Sequence, residues 1–170
     1  MQEDWTDVVI LLDRSGSMTS IKTDMEGVLS TFLKEQRKLP GKLTITLYQF
    51  DDIFETVFVE RDVNMIDNIV ITPRNSTALI DALSTSLETT KTRIKSIPKD
   101  KRPAKKIFWV ITDGQENASH KTTRTQVFQE ITKMREKHQI QFIFMGANQD
   151  AIKEGLSYGI YKGSAYKHGK

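Results

Sequence analysis

Val8-Val9-Ile10-Leu11-Leu12 is an unbroken apolar run that ends abruptly at Asp13-Arg14-Ser15-Gly16-Ser17. A continuous run of this kind reads as a strand buried on both faces, the situation of a central strand in a parallel sheet. Apolar residues at helical spacing come next: Ile21, Met25, Val28, Leu29, Phe32, Leu33 and Leu39, stopped by Pro40-Gly41. Strand patterns then occupy residues 43–50 and 54–60, joined by the turn signal Asp51-Asp52. A short helix is expected over 64–69. Leu79, Ala82, Leu83, Leu87, Ile94 and Ile97 mark a second long helix ending at Pro98. Residues 105–112 form another strand, with Ile107-Phe108-Trp109-Val110-Ile111 at its core. Val127, Phe128, Ile131 and Met134 give the next helix, and 140–145 the last clear strand. A short helix around 149–156 and room for one small strand complete the pattern.

Strand–helix alternation predicts an α/β fold: a doubly wound, mainly parallel sheet with helices on both faces. The hairpin at Asp51-Asp52 adds one antiparallel edge strand. No internal repeat or low-complexity linker interrupts the chain, so residues 1–170 are expected to form a single domain. In such sheets ligands bind outside the carboxyl ends of the strands, where the strand order reverses. The loops after each strand are therefore where chemistry is expected.

Composition removes several classes of function. The chain has no cysteine, which excludes disulfides, thiolate metal sites and cysteine nucleophiles, and leans toward a reducing, cytoplasmic setting. No apolar run approaches the roughly 18 residues that a membrane span needs, and no secretory leader pattern opens the sequence. The net charge of +3 is concentrated late, in Lys91, Arg93, Lys95, Lys99, Lys101, Arg102, Lys105 and Lys106, with Lys162, Lys167 and Lys170 in the tail. Few aromatics interleave with this cluster, so it reads as a solvated helix face and loop rather than a nucleic-acid platform. His120, His138 and His168 lack metal-ligand spacing.

One constellation carries chemistry. Asp13, Ser15 and Ser17 offer a carboxylate and two hydroxyls at alternating positions after the first buried strand, and Gly16 is expected to relieve a sharp turn there. Thr77 lies just ahead of the second long helix, and Asp113 ends the strand core 107–111 in Thr112-Asp113-Gly114. Three loops thus direct oxygen ligands of low total charge toward one rim, a set suited to a hard cation such as Mg²⁺ or Mn²⁺. Taken singly, each element is also an ordinary turn or helix cap.

Together they resemble the metal-ion-dependent adhesion site of von Willebrand factor A domains, a Rossmann-like fold. The resemblance rests on Asp-x-Ser-x-Ser after the first strand, a lone Thr before the long helix, Thr-Asp-Gly after the buried strand, and the Phe50-Asp51-Asp52 hairpin. It implies that Ser15, Ser17 and Thr77 supply hydroxyl oxygens to the metal, while Asp13 and Asp113 act partly through water. It implies also that the under-neutralised ion accepts an Asp or Glu from a protein partner, a second copy of the chain included. Arg14, Asn75, Gln115 and Glu116 fall on the rim that would meet this partner. Many relatives carry glycine where this chain has Asn75-Ser76, and Asn is the residue after glycine that best tolerates left-handed backbone. Some relatives couple metal occupancy to the movement of a final helix; this sequence leaves no room for one, so that switch is not implied. Free-standing, cysteine-free versions look like those of bacteria and their viruses.

Other readings compete with this binding module, which is not expected to be an enzyme. A haloacid-dehalogenase-like, metal-dependent phosphatase also places Asp after its first strand, but needs a second Asp where Ser15 stands. G-x-G-x-x-G, Walker A and G-x-S-x-G motifs are absent. A nucleic-acid binder would use the basic cluster between 91 and 106.

Overall fold

The computed structural model describes residues 2–113, 122–146 and 165–167. Six strands form one sheet: β1 (Gln2–Asp13), β2 (Lys42–Phe50), β3 (Phe54–Asp62), β4 (Pro103–Ile111), β5 (Ile140–Gly146) and β6 (Ala165–Lys167). Their order is β3-β2-β1-β4-β5-β6. β1 runs parallel to both β2 and β4, β4 to β5 and β5 to β6, while β3 returns antiparallel to β2 at the edge. The doubly wound sheet with one antiparallel edge strand is therefore as expected.

Three helices are described: α1 (Lys22–Arg37), α2 (Leu79–Lys95) and α3 (Arg124–His138). The side chains of β1 alternate between two cores, which is why its apolar run is unbroken. Val8, Ile10 and Leu12 pack with Met25, Leu29 and Leu33 of α1. Val9 and Leu11 pack with Leu83 and Leu87 of α2 and with Val127 and Ile131 of α3. Each fully buried aliphatic side chain contributes about 1.5–3 kcal/mol, so β1 anchors both layers. Winding reverses on either side of β1, and the crevice of a switch point opens between the carboxyl ends of β1 and β4. Among the described residues no helix is long and apolar enough to cross a membrane.

Two local expectations fail. The stretch 64–69 is not a helix: a single 3₁₀ turn, Val63–Met65, is followed by chain without regular secondary structure. The Arg37 side chain, reaching from the end of α1, donates to the carbonyls of Val63, Ile66 and Asp67, so these groups need no helical partners. Leu39 does not join the apolar stripe of α1; the helix ends at Arg37 and Leu39 is exposed.

The chain passes from α1 into β2 through a tight turn at Gly41. This residue has φ +92°, and a Cβ there would stand 2.8 Å from the backbone oxygen of Asp4 on β1. Left-handed backbone costs a non-glycine residue about 1 kcal/mol before any clash. Gly41→Ala is thus expected to destabilise by about 2 kcal/mol or more, read as a lower urea midpoint, whereas Gly27→Ala on α1, where a Cβ meets nothing, should not.

Candidate functional site

The carboxyl end of β1 delivers Asp13 to the switch point with its side chain fully buried. Both carboxylate oxygens are engaged. Oδ1 accepts the Ser15 backbone N–H at 2.7 Å, forming an Asx-type turn, and Oδ2 accepts the Thr112 hydroxyl of the β4 loop at 2.7 Å. Burial pushes the Asp13 carboxyl up to about 6; hydrogen bonds from Ser15 and Thr112 oppose that shift, and the neighbouring Asp113 charge adds to it. Asp13 and Asp113 are thus two buried carboxyls in each other's field, an arrangement a cation would relieve.

Ser15 is buried and Ser17 exposed, with their hydroxyl oxygens 3.1 Å apart. Oxygens at adjacent corners of an octahedron around Mg²⁺, each about 2.1 Å from the ion, lie about 3 Å from one another. The pair therefore fits a small hard cation, and Ser17 leaves the position open to solvent. Gly16 does not make the sharp turn expected of it: its φ is not positive, and a Cβ there would make ordinary contacts. Its N–H donates instead to the Asn75 carbonyl at 2.9 Å.

That bond is one of several that lock the loops together. Arg74 N–H donates to the Arg14 carbonyl, Arg14 N–H to the Phe50 carbonyl, and Ala78 N–H to the Asp51 carbonyl. Thr77, buried between these anchors, precedes α2 without capping it; the N-cap is Ala78. Asp113 is also buried. The structure thus gathers Asp13, Ser15, Ser17 and the Thr112-Asp113 end of β4, and ties the loop of Thr77 to them.

Asn75 has φ +26°, the left-handed region in which Asn replaces glycine at least cost. Asn75→Gly is expected to leave stability within about 0.5 kcal/mol, whereas Asn75→Val should cost about 1–2 kcal/mol. Thermal unfolding of the two variants checks this.

The sequence did not disclose the ionic frame. Arg74 pairs with the buried Asp51 through Nε–Oδ2 at 2.5 Å. Burial pushes the Asp51 carboxyl up, but Arg74 and the Ile53 N–H outweigh it and hold the group below its usual range. Arg14 bonds Glu55 at 3.0 Å and the Thr72 carbonyl at 3.1 Å, so this rim residue is turned largely into the fold. Asn75 is exposed on the rim; Gln115 and Glu116 lie outside the described residues, as do His120, His168 and the helix expected over 149–156. Asp51 had the signature of a simple turn, and only its place beside the Arg74 loop reveals the pairing. Among the described residues no three His, Cys, Asp or Glu side chains gather into a group that could hold a metal ion.

Comparison with known proteins bears on the frame. The family model for the von Willebrand factor type A domain matches residues 7–159. Proximal thread matrix protein 1 of the mussel byssus, solved with a zinc-occupied MIDAS motif, is 16% identical with a TM-score of 0.65, over 98% of this chain and 42% of that one. The ArnB paralog VWA2 of Sulfolobus acidocaldarius is 20% identical with a TM-score of 0.61, over 95% and 40%. Manganese-loaded TRAP protein of Plasmodium vivax is 15% identical with a TM-score of 0.60, over 95% and 65%. The chain thus spans less than half the length of the first two. No protein of curated function matches the sequence significantly. With the family model covering nearly the whole described sheet, the chain belongs to the von Willebrand factor type A family.

Proposed function

We propose that this domain is a metal-dependent protein-binding module rather than an enzyme, with a metal-ion-dependent adhesion site at the β1–β4 crevice. The observation that carries this reading is the hydroxyl pair Ser15–Ser17, 3.1 Å apart, backed by the doubly bonded, buried Asp13. Ser15, Ser17 and Thr77 would hold Mg²⁺ or Mn²⁺ through hydroxyl oxygens, with Asp13 and Asp113 behind them. A divalent ion held by few carboxylates keeps positive charge to offer an incoming Asp or Glu of a partner, a second copy included. Asp13 orients the Ser15 backbone and Thr112, while Asn75 and Arg14, with Gln115 and Glu116, shape the surface the partner meets. The zinc and manganese carried by two of the solved relatives support a divalent ion in general. A chain without cysteine suits a reducing, cytoplasmic setting in a bacterium or its virus.

Thermal unfolding in EDTA and then in millimolar Mg²⁺ or Mn²⁺ tests the site. At a hundredfold excess over the dissociation constant, binding to the native state adds about 2.7 kcal/mol. The wild type should show that rise, and Ser15→Ala and Asp13→Ala should not. A wild type indifferent to both metals, or mutants that respond as it does, would sink the reading. Peptides selected from a displayed library should carry an Asp or Glu and release in EDTA; selection of peptides lacking any acidic residue would count against carboxylate recognition.

A further inference from the structure

At the opposite end of the sheet a lysine is buried with no partner among the described residues. Lys106 on β4 is 7% exposed and lies in register between Asp7 of β1 and Ile140 of β5. It shares the parity of Phe108 and Val110, whose side chains pack with α2 and α3, and with Asp7, Thr90 and Ile94 it borders a seam on that face too narrow to admit a water molecule. Among the described residues its ammonium makes no hydrogen bond and no ion pair within 4 Å. The nearby carboxylate is already occupied: Asp7 Oδ1 accepts the Thr44 hydroxyl and Oδ2 the Arg93 guanidinium, each at 2.7 Å. Nor is the Lys106 ammonium among the fully enclosed polar atoms that lack partners, so its tip reaches solvent at the lip of the sheet.

Other cations converge on this lip from separate elements. Arg102, just before β4, is fixed by hydrogen bonds to the carbonyls of Ile97 and Lys95, so its charge sits against the end of α2. Lys95 ends α2 and His138 ends α3, two residues before the strand partner of Lys106. Their proximity shows in their protonation: burial, then the charges of Lys95, Arg102, Lys106 and Lys91, push His138 down. Burial and Arg102 likewise push Lys106 down, against the opposing charge of Asp7. Lys91 is neutralised by Glu88 and Glu130, and Arg93 by Asp7 and Glu60; among the described residues Lys95, Arg102 and Lys106 have no ion pair, nor do Lys99, Lys101 and Lys105 of the same basic cluster.

A largely buried ammonium whose one neighbouring carboxylate, Asp7, already serves Thr44 and Arg93 is held at a cost to stability, and a methionine of similar length would not be. Basic residues also complement helix carboxyl ends, but that role needs an exposed charge in the last turn, not a lysine buried on a central strand. We propose that Lys106, Arg102 and Lys95, with His138 beside them, form a binding site for a single phosphate group, free or as a small phosphate ester, at the end of the sheet opposite the metal crevice. Among the described residues the lip offers no aromatic platform for bases, which sets it apart from a nucleic-acid surface.

Titration of inorganic phosphate, followed by calorimetry and by the NMR signals of His138, tests the site on the intact protein. Wild type should bind saturably, the His138 pKa should rise on binding, and Lys106→Met should weaken affinity about tenfold or more, the equivalent of one charge-assisted hydrogen bond. Lys34→Met, an exposed lysine on α1, should change nothing. In phosphate-free buffer Lys106→Met should raise the unfolding midpoint. A lowered midpoint would instead make Lys106 a structural countercharge for Asp7 and overturn the proposal. So would absence of saturable phosphate binding in wild type, equal affinity in wild type and Lys106→Met, or a single-stranded oligonucleotide that binds more tightly than phosphate with a steep salt dependence. None of these readouts involves the metal crevice, so the two sites stand or fall separately.

Discussion

Arg93→Leu should cost about 3–5 kcal/mol, the range for stranding one member of a buried ion pair. Asp7 is 1% exposed and Arg93 reaches it from α2 at 2.7 Å, while its other arm holds Glu60 of β3 at 2.7 Å. The same carboxylate accepts the Thr44 hydroxyl, which in turn accepts the Trp5 indole N–H, so one side chain ties β1, β2, β3 and α2. Without the guanidinium, the Asp7 carboxylate is left in a buried position without its ion-pair partner. Urea unfolding at pH 7 should therefore show a lower midpoint. The double variant Asp7→Leu/Arg93→Leu should recover much of the stability, because no charge is left stranded; recovery stays incomplete because Thr44 loses its acceptor. The metal response should survive, since Asp13 lies about 20 Å along the strand at about 3.3 Å per residue. Lys106→Met, stabilising in the wild type, should become destabilising beside Arg93→Leu, where Lys106 is the remaining cation for Asp7.

That network shows where sequence reasoning stops. The strands of the sheet were readable because β1 and β4 are buried on both faces and their codes are runs of Val, Ile, Leu and aromatic residues. The candidate metal loops could be proposed from sequence because Asp13, Ser15 and Ser17 alternate along one short segment. Pairings between distant segments were not. Asp7 and Arg93 are separated by 86 residues, and Arg93 looked like one more member of a solvated basic face. The stretch 64–69 has Met65, Ile66 and Ile69 at helix-compatible spacing, yet Arg37 claims its carbonyls from 26 to 30 residues away. Thr112 was visible in the Thr-Asp-Gly motif, but its bond to Asp13 depends on the adjacency of β1 and β4, which the winding order creates. Local patterns encode which face an element buries; they do not encode which remote side chain will satisfy a particular oxygen.

The acid–base behaviour of Asp13 gives the second large effect. Burial pushes its carboxyl up to about 6 against an ordinary value of 3.8. Between those values the folded protein holds a proton that the unfolded chain releases, so stability is highest at the acid end and falls as pH rises through about 6. The difference amounts to about 3 kcal/mol at most. His138 works against this trend: its lowered pKa means that the unfolded chain binds the extra proton, so its contribution grows with rising pH. Asp51 and Glu26, held below their usual ranges, act only at more acidic pH, where their stabilisation is lost as they protonate. Comparing wild type with Asp13→Asn removes these shared terms. In EDTA the variant should equal or exceed the wild type at pH 7, and the gap should close or reverse by pH 4.5. With saturating Mg²⁺ or Mn²⁺ the wild type should gain stability as pH rises from 5 to 7, because the charge of an ion held by the neighbouring hydroxyls favours the ionised form of the carboxyl behind them. The variant, which cannot ionise, should gain little at any pH. Urea midpoints measured across pH 4.5 to 7.5, with and without metal, decide the matter: parallel curves for the two proteins in EDTA would mean that Asp13 is already ionised in the folded state, and a metal gain independent of pH would mean that the ion is held without it.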